Sequence, residues 1–311
     1  GLEMVQIFLI LALAPLFTGL VRKIKARLQR RIGPSLFQPY RDLARLFRKE
    51  TVVANNASWL YFVAPVVIFA ATWVAATLVP TLTFSVALTP MADLIALFGL
   101  LALARFAQAL AGLDIGTSFG GLGASREMMI AALAEPALLL LIFTLALLTG
   151  SSRLPDIAHF VQSPAVGLHI SLLLTFVGFG IIAIAESGRL PVDNPATHLE
   201  LTMIHEAMVL EYSGGHLALI EWAASVKLLL YVSLIAAIFL PISIAQTGDG
   251  FIALGIALAL YLLKLVLAAG VIGVFELSDA KMRVFRIPNF LGTGLMLALL
   301  AALLSLVSRI F

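Results

Sequence analysis

Cysteine is absent from the 311 residues. The chain therefore forms no disulfide, no thiolate metal site and no iron–sulfur ligation of its own. Its redox compartment stays open, because a protein without thiols suits either kind. Charge is the second scarcity. Asp, Glu, Lys and Arg make up 12% of the sequence and hydrophobic residues 61%, whereas a soluble domain carries about a quarter charged residues. A chain this apolar takes lipid as its solvent. In lipid every backbone polar group needs an internal partner, which leaves α-helices or a closed barrel. The short alternating stretches of barrel strands are also missing; in their place stand long apolar runs such as Pro136–Leu148 and Leu168–Ala185. The fold class read from these absences is an all-α integral membrane protein, a single transmembrane domain over residues 1–311. Net charge is only +3, and the basic residues sit beside apolar runs, so nucleic-acid binding is not expected.

A span needs about 20 mainly apolar residues. Eight segments fit: Leu2–Val21, Trp59–Leu82, Met91–Leu113, Met128–Gly150, Val166–Glu186, Ala223–Pro241, Phe251–Phe275 and Pro288–Val307. The first leads straight into a basic stretch with no small-residue cleavage site and reads as a retained helix. Internal repeats are lacking, and Pro65 and Pro136 fall near span ends, which argues against a stand-alone secondary ion transporter. With eight spans the odd-numbered loops share one side. The first of them carries ten Lys and Arg between Arg22 and Lys49, and Arg126, Arg189, Lys281, Arg283 and Arg286 lie on the same side; the other side has Arg153 and Arg309. The positive-inside rule makes the fifteen-residue side cytoplasmic. This places the protein as a multi-pass chain of the cell inner (cytoplasmic) membrane with both termini non-cytoplasmic.

Two cytoplasmic loops are long. Residues 22–58 form a basic loop after the first span; within it Leu43, Leu46 and Phe47 recur at helical spacing among charges, the pattern of a short interfacial helix over Tyr40–Lys49. Residues 187–222 form an acidic loop after the fifth span, with Asp193, Glu200, Glu206, Glu211 and Glu221. Here Pro191 and Pro195 precede Thr197–Leu210, a stretch that suits a helix. An acid excess in a cytoplasmic membrane loop is unusual and marks the functional centre.

Ionisable groups inside a bilayer cost roughly 3 kcal/mol or more each, so they tend to be paired, hydrated or functional. Arg105 lies late in the third span, Glu135 within the fourth just before Pro136, Lys227 near the start of the sixth, and Lys264 midway along the seventh. Glu186 closes the fifth, and Asp114 and Glu127 sit at neighbouring cytoplasmic ends. For Asp93, Glu276 and Lys281, near span ends, snorkelling or topological pairing is the simpler account. Depth removes that escape from Glu135 and Lys264. No metal is expected: His198 and His205 share a helix face, but Val209 stands where a His-Glu-x-x-His motif needs its second histidine. Gly116, Gly120, Gly121 and Gly123 read as a loop between spans, not a phosphate cradle.

Several ordered motifs resemble those of one family. Glu186-Ser-Gly-Arg189-Leu-Pro191-Val-Asp193, Glu211-Tyr212-Ser213-Gly214 and Arg30-Arg31-Ile-Gly33-Pro34 resemble loops of the complex I membrane subunit 1 family. Gly112-Leu-Asp114-Ile-Gly116, followed by Gly123-Ala-Ser-Arg126-Glu127, is more similar to its hydrogenase branch, which includes subunit 4 of formate hydrogenlyase and component C of hydrogenase-4. The resemblance implies a non-catalytic subunit that anchors a peripheral iron–sulfur arm and links its electron transfer to H⁺ or Na⁺ translocation. It implies partners: iron–sulfur and hydrogenase-like large subunits and antiporter-like membrane subunits. Iron–sulfur clusters, and a nickel–iron centre if present, belong to those partners; this chain is expected to hold no cofactor. Carried over, Arg126, Glu127, Glu135, Glu186, Asp193, Glu200 and Glu211 join Asp114, Lys227 and Lys264 as coupling candidates. Arg30, Arg31, Arg189 and Tyr212 are candidates for docking the arm. After Pro195, Ala196 and His198 replace glutamates usual in the quinone-reducing branch, and Leu201–Leu210 is longer than usual. These departures point away from the alternative, a complex I-type quinone chamber. The topology is directly testable: a reporter fused after Phe311 should read out on the non-cytoplasmic side, and a cytoplasmic signal would mean the spans are miscounted.

Overall fold

The computed structural model describes residues 2–54, 56–81, 92–163, 170–189, 203–241, 251–278 and 286–310. Asp193, Glu200, Lys281, Arg283 and the expected helix start at Thr197 lie outside the described residues. Among the described residues the chain forms α1 (Leu2–Leu28), α2 (Gln38–Phe47), α3 (Trp59–Thr77), α4 (Leu94–Asp114), α5 (Ser118–Thr149), α6 (Leu154–Gln162), α7 (Ile170–Glu186), α8 (His205–Val209), α9 (Gly214–Phe239), α10 (Phe251–Ser278) and α11 (Ile287–Ile310). The pairing outside helices, among these residues, is one isolated bridge, Asp93 to Arg153. Seven of the described helices are long and apolar enough to cross a membrane: α1, α3, α4, α5, α9, α10 and α11. An eighth, α7, is apolar and 17 residues long, and residues 166–169, with which its expected span began, lie outside the described residues. The chain is a multi-pass, all-helical membrane protein.

Several helices outrun the apolar stretches that mark them in the sequence. Hydropathy reports where hydrocarbon ends, whereas a helix continues until its terminal amides or carbonyls find another partner. Thr117 supplies one such end by accepting a hydrogen bond from Gly120 N at 3.2 Å. Consequently α5 begins at Ser118 rather than Met128. This corrects two expectations. Gly120, Gly121 and Gly123 are helical, not loop, and Pro136 sits mid-helix, where it withholds the amide that Ala132 would otherwise receive. Likewise α1 runs on to Leu28, carrying Arg22, Lys23, Lys25 and Arg27 on its last turns, and α9 starts at Gly214 rather than Ala223. The amphipathic stretch of the first loop is helical, as α2, with Leu43 buried. The short α6, with Pro155 in its first turn, has no counterpart among the expected elements, because nine residues give no span-length signal.

The largest core cluster draws on all the long helices and centres on Leu97, Leu101, Ala134, Leu141, Ile182 and Leu229. The sequence-distant loops are sewn to each other. Val52 donates its amide to Ser213 Oγ at 2.8 Å and accepts the Ser213 hydroxyl at 2.9 Å. Tyr61 and Tyr212 stack with ring centroids 4.0 Å apart. Trp222 donates to Leu11 O at 3.2 Å and meets Phe47 edge-on. One crossing depends on the lack of a side chain: a Cβ on Gly120 would lie 2.1 Å from the Gly112 carbonyl oxygen. The two backbones touch there, and α8 packs beside them through Met208. Gly120→Ala should therefore force α4 and α5 apart at a cost of about 1–3 kcal/mol. Thermal unfolding in detergent would show a lowered midpoint, with Gly121→Ala, whose added carbon meets nothing within 4 Å, as the unaffected control.

Candidate functional site

The site is built around one guanidinium. Arg105 projects from α4 into the protein with its side chain 4% exposed. Three carboxylates converge on it. Glu186, from the last residue of α7, approaches Nη2 at 2.5 Å; Glu135, from α5, bonds Nη1 at 3.0 Å; Glu127, two turns earlier on α5, stands 3.7 Å from Nε. Lys227 of α9 reaches the other oxygen of Glu186 at 3.1 Å, and His205 Nδ1 of α8 lies 3.0 Å from Glu127. Tyr231, fully buried on α9, borders the same group. Glu127 and Glu135 are eight residues apart, so the helical repeat puts both on the face of α5 that meets α4. Lone buried charges are costly, but a guanidinium offers five donors in a fixed fork and serves several carboxylates at once.

A second group lies close by. Glu276, at the end of α10, accepts Lys25 Nζ and Arg189 Nη1, each at 2.6 Å. It thus fastens the end of α1 and the residues after α7 to α10. Both groups face a cavity of about 1130 Å³, lined among others by Lys25, Arg105, Glu186, Arg189, His205 and Lys227. A smaller cavity of about 390 Å³ meets Arg105 and Glu135 from between α4 and α5. Arg105 therefore lines both. Glu135 is 47% exposed toward this second opening, whereas Glu186 is 1% exposed.

The coupling candidates from the sequence divide by position. Glu127, Glu135, Glu186 and Lys227 are brought together. Arg126 is adjacent, its guanidinium donating to Met203 O at 2.8 Å. Lys264 is elsewhere: it donates to Leu240 O at 2.6 Å, at the far end of α9, about 20 Å along the helix from Lys227. Asp114 holds the start of α3, accepting from Ser58 N at 2.9 Å and Ser58 Oγ at 2.6 Å. Glu211 is exposed in the turn before α9. Asp193 and Glu200 lie outside the described residues. Among the docking candidates, Arg30 and Arg31 are exposed beyond the end of α1 and Arg189 is held by Glu276. Tyr212 is buried beneath the surface, donating to Tyr61 O at 3.1 Å. Burial, with Tyr61 and Asp114 adding to it, holds the Tyr212 phenol above its usual range, so it stays neutral. Two members of the site are not among the sequence candidates. Arg105 has one signal, a cation deep in an apolar span; His205 has none beyond its residue type. Among the described residues no group of three or more His, Asp or Glu side chains is arranged to hold a metal ion.

The cluster's energetics yield a clear expectation. Arg105→Leu strands three carboxylates and should destabilise the fold by about 3–5 kcal/mol. Adding Glu186→Gln should recover part of that loss, because it removes one of the stranded charges. Thermal unfolding of the wild-type, single and double variants would show this non-additivity.

The model of a family described as NADH dehydrogenase matches residues 2–307. Formate hydrogenlyase subunit 4 of Escherichia coli (strain K12) is 34% identical over 300 residues, covering 96% of each chain. Hydrogenase-4 component C of the same strain is 35% identical over 301 residues, covering 95% of this chain and 92% of that protein. A chain in the solved structure of the membrane-bound sulfane sulfur reductase, an archaeal respiratory membrane complex, superposes with a TM-score of 0.80 at 20% identity, covering 97% of this chain and 98% of the other. That likeness concerns the fold.

Proposed function

Because the chain belongs to the NADH dehydrogenase family, that of the complex I membrane subunit 1, we propose that it is the membrane coupling subunit of an energy-converting, hydrogenase-like redox complex. In this reading it anchors a peripheral iron–sulfur arm and links electron transfer there to H⁺ or Na⁺ movement across the cytoplasmic membrane, without holding a cofactor itself. Its partners are iron–sulfur and hydrogenase-like large subunits, which between them carry the clusters and any nickel–iron centre, and antiporter-like membrane subunits. The observation that carries the reading is Arg105: one buried cation that touches three carboxylates and lines two cavities. Charges this close are coupled, so a disturbance on one side alters ion affinity on the other.

The rest of the site supports the reading. The basic loop 22–58 and the acidic loop 187–222 are joined through Val52 and Ser213, which offers the arm one continuous footing that includes the exposed Arg30 and Arg31. A quinone chamber in the same cavity is disfavoured by the polar side chains in its lining, among them Arg22, Asp42, Glu206 and Glu221. A self-sufficient transporter lacks its expected repeated halves.

Glutamine preserves size and removes titration. Glu186→Gln and Glu135→Gln should each lower the ion-to-electron ratio of the assembled complex in proteoliposomes while assembly persists. Unchanged ratios and rates in both variants would sink the coupling assignment.

A further inference from the structure

His205 stands at a junction that neither the family motifs nor the acidic-loop pattern marks. It is the first residue of α8, it lines the large cavity, and its Nδ1 lies 3.0 Å from Glu127. Its seat is shaped for a ring. Gly188, two residues past the end of α7, has φ +63°, and a Cβ there would lie 2.4 Å from His205 Cδ2. Only a residue without a side chain leaves the imidazole this place, and the left-handed backbone suits glycine as well.

The charges around it do not balance. In the nearest shell Glu127, Glu135 and Glu186 face Arg105 and Lys227, three negative groups against two positive. The wider described surroundings add charges of both signs in nearly equal number. From α1 come Arg22 and Lys25, from α2 Asp42 with Arg45 paired to it, and from α5 Arg126, placed on Met203 O. Beyond α7 comes Arg189, from α8 Glu206, from α9 Glu221 and from α10 Glu276, which holds Lys25 and Arg189. Taken together these are, among the described residues, seven cations and seven carboxylates, so the deficit belongs to the nearest shell alone. Arginine and lysine remain charged at neutral pH, whereas an imidazole titrates there. A protonated His205 supplies the missing positive charge beside the carboxylate that has the most distant hold on Arg105.

We infer that His205 is the proton-binding member of the buried cluster, taking up one proton from cavity water to neutralise it and returning that proton when the cluster's charge changes. The step is a proton transfer alone: an N–H bond forms at the imidazole as an O–H bond of hydronium breaks, and release reverses it, with no electron moved. The inference rests on reading the Arg105 cluster as the coupling site and names the group within it that loads.

The test uses the whole complex in proteoliposomes. In His205→Ala the rate of redox-driven ion translocation should fall about tenfold or more, within the usual reach of proton-transfer groups. Added imidazole should restore it in proportion to concentration, whereas pyrazole, of the same shape but a far weaker base, should not. In His205→Gln, which fills the seat without titrating, the neutral-range limb of the pH–rate profile should vanish. Wild-type rates and an unchanged pH profile in both variants would overturn the inference. So would recovery by neither azole, or equally by both, since that marks a packing role. The two readings fail separately: if Glu186→Gln and Glu135→Gln uncouple the complex while the His205 variants do not, only His205 loses its role; if those glutamines change nothing, the cluster itself is not the coupling site.

Discussion

A guanidinium held away from water must be surrounded on all sides or not be there at all, and the inner half of this protein is arranged by that condition. Arg105 brings its charge from α4, Glu127 and Glu135 answer from α5, Glu186 from the end of α7, and Lys227 and His205 come in behind them from α9 and α8. Each contributes only because the others are present; desolvation would outweigh any single pair. The packing around the cluster follows. The Gly112–Gly120 contact draws α4 and α5 close at their facing ends, which lets residues two turns apart on α5 reach the same arginine.

Much of the fold is legible in the sequence because lipid imposes a simple rule. Apolar stretches of span length became helices, and the alternating charges around Leu43 became α2. The unread parts are those where the rule stops applying. Helix ends are decided by capping and by neighbouring chain, so the early start of α5 at Thr117 and of α9 at Gly214 leaves no trace in hydropathy. The site is legible in its acids: Glu127, Glu135 and Glu186 stand out as charges in apolar surroundings, and they meet. Lys264 stands out for the same reason and does not join them. Composition reports that a charge is buried but not which way its helix faces, and Lys264 gives its ammonium to the open carbonyl of Leu240. His205 stays hidden because its partner Glu127 lies 78 residues away.

The two ionic groups differ in kind. Around Arg105 the surplus is negative; around Glu276, with Lys25 and Arg189, it is positive. Residues of both groups line the same cavity.

The Val52–Ser213 seam has a bearing on how such proteins change over time. It binds two loops that lie 161 residues apart in the chain through both polar groups of one residue's backbone. The two loops therefore hold each other in place. A drift in the length of either must be answered by the other, and a chimera that borrows one loop from a relative brings half of a surface whose counterpart stayed behind.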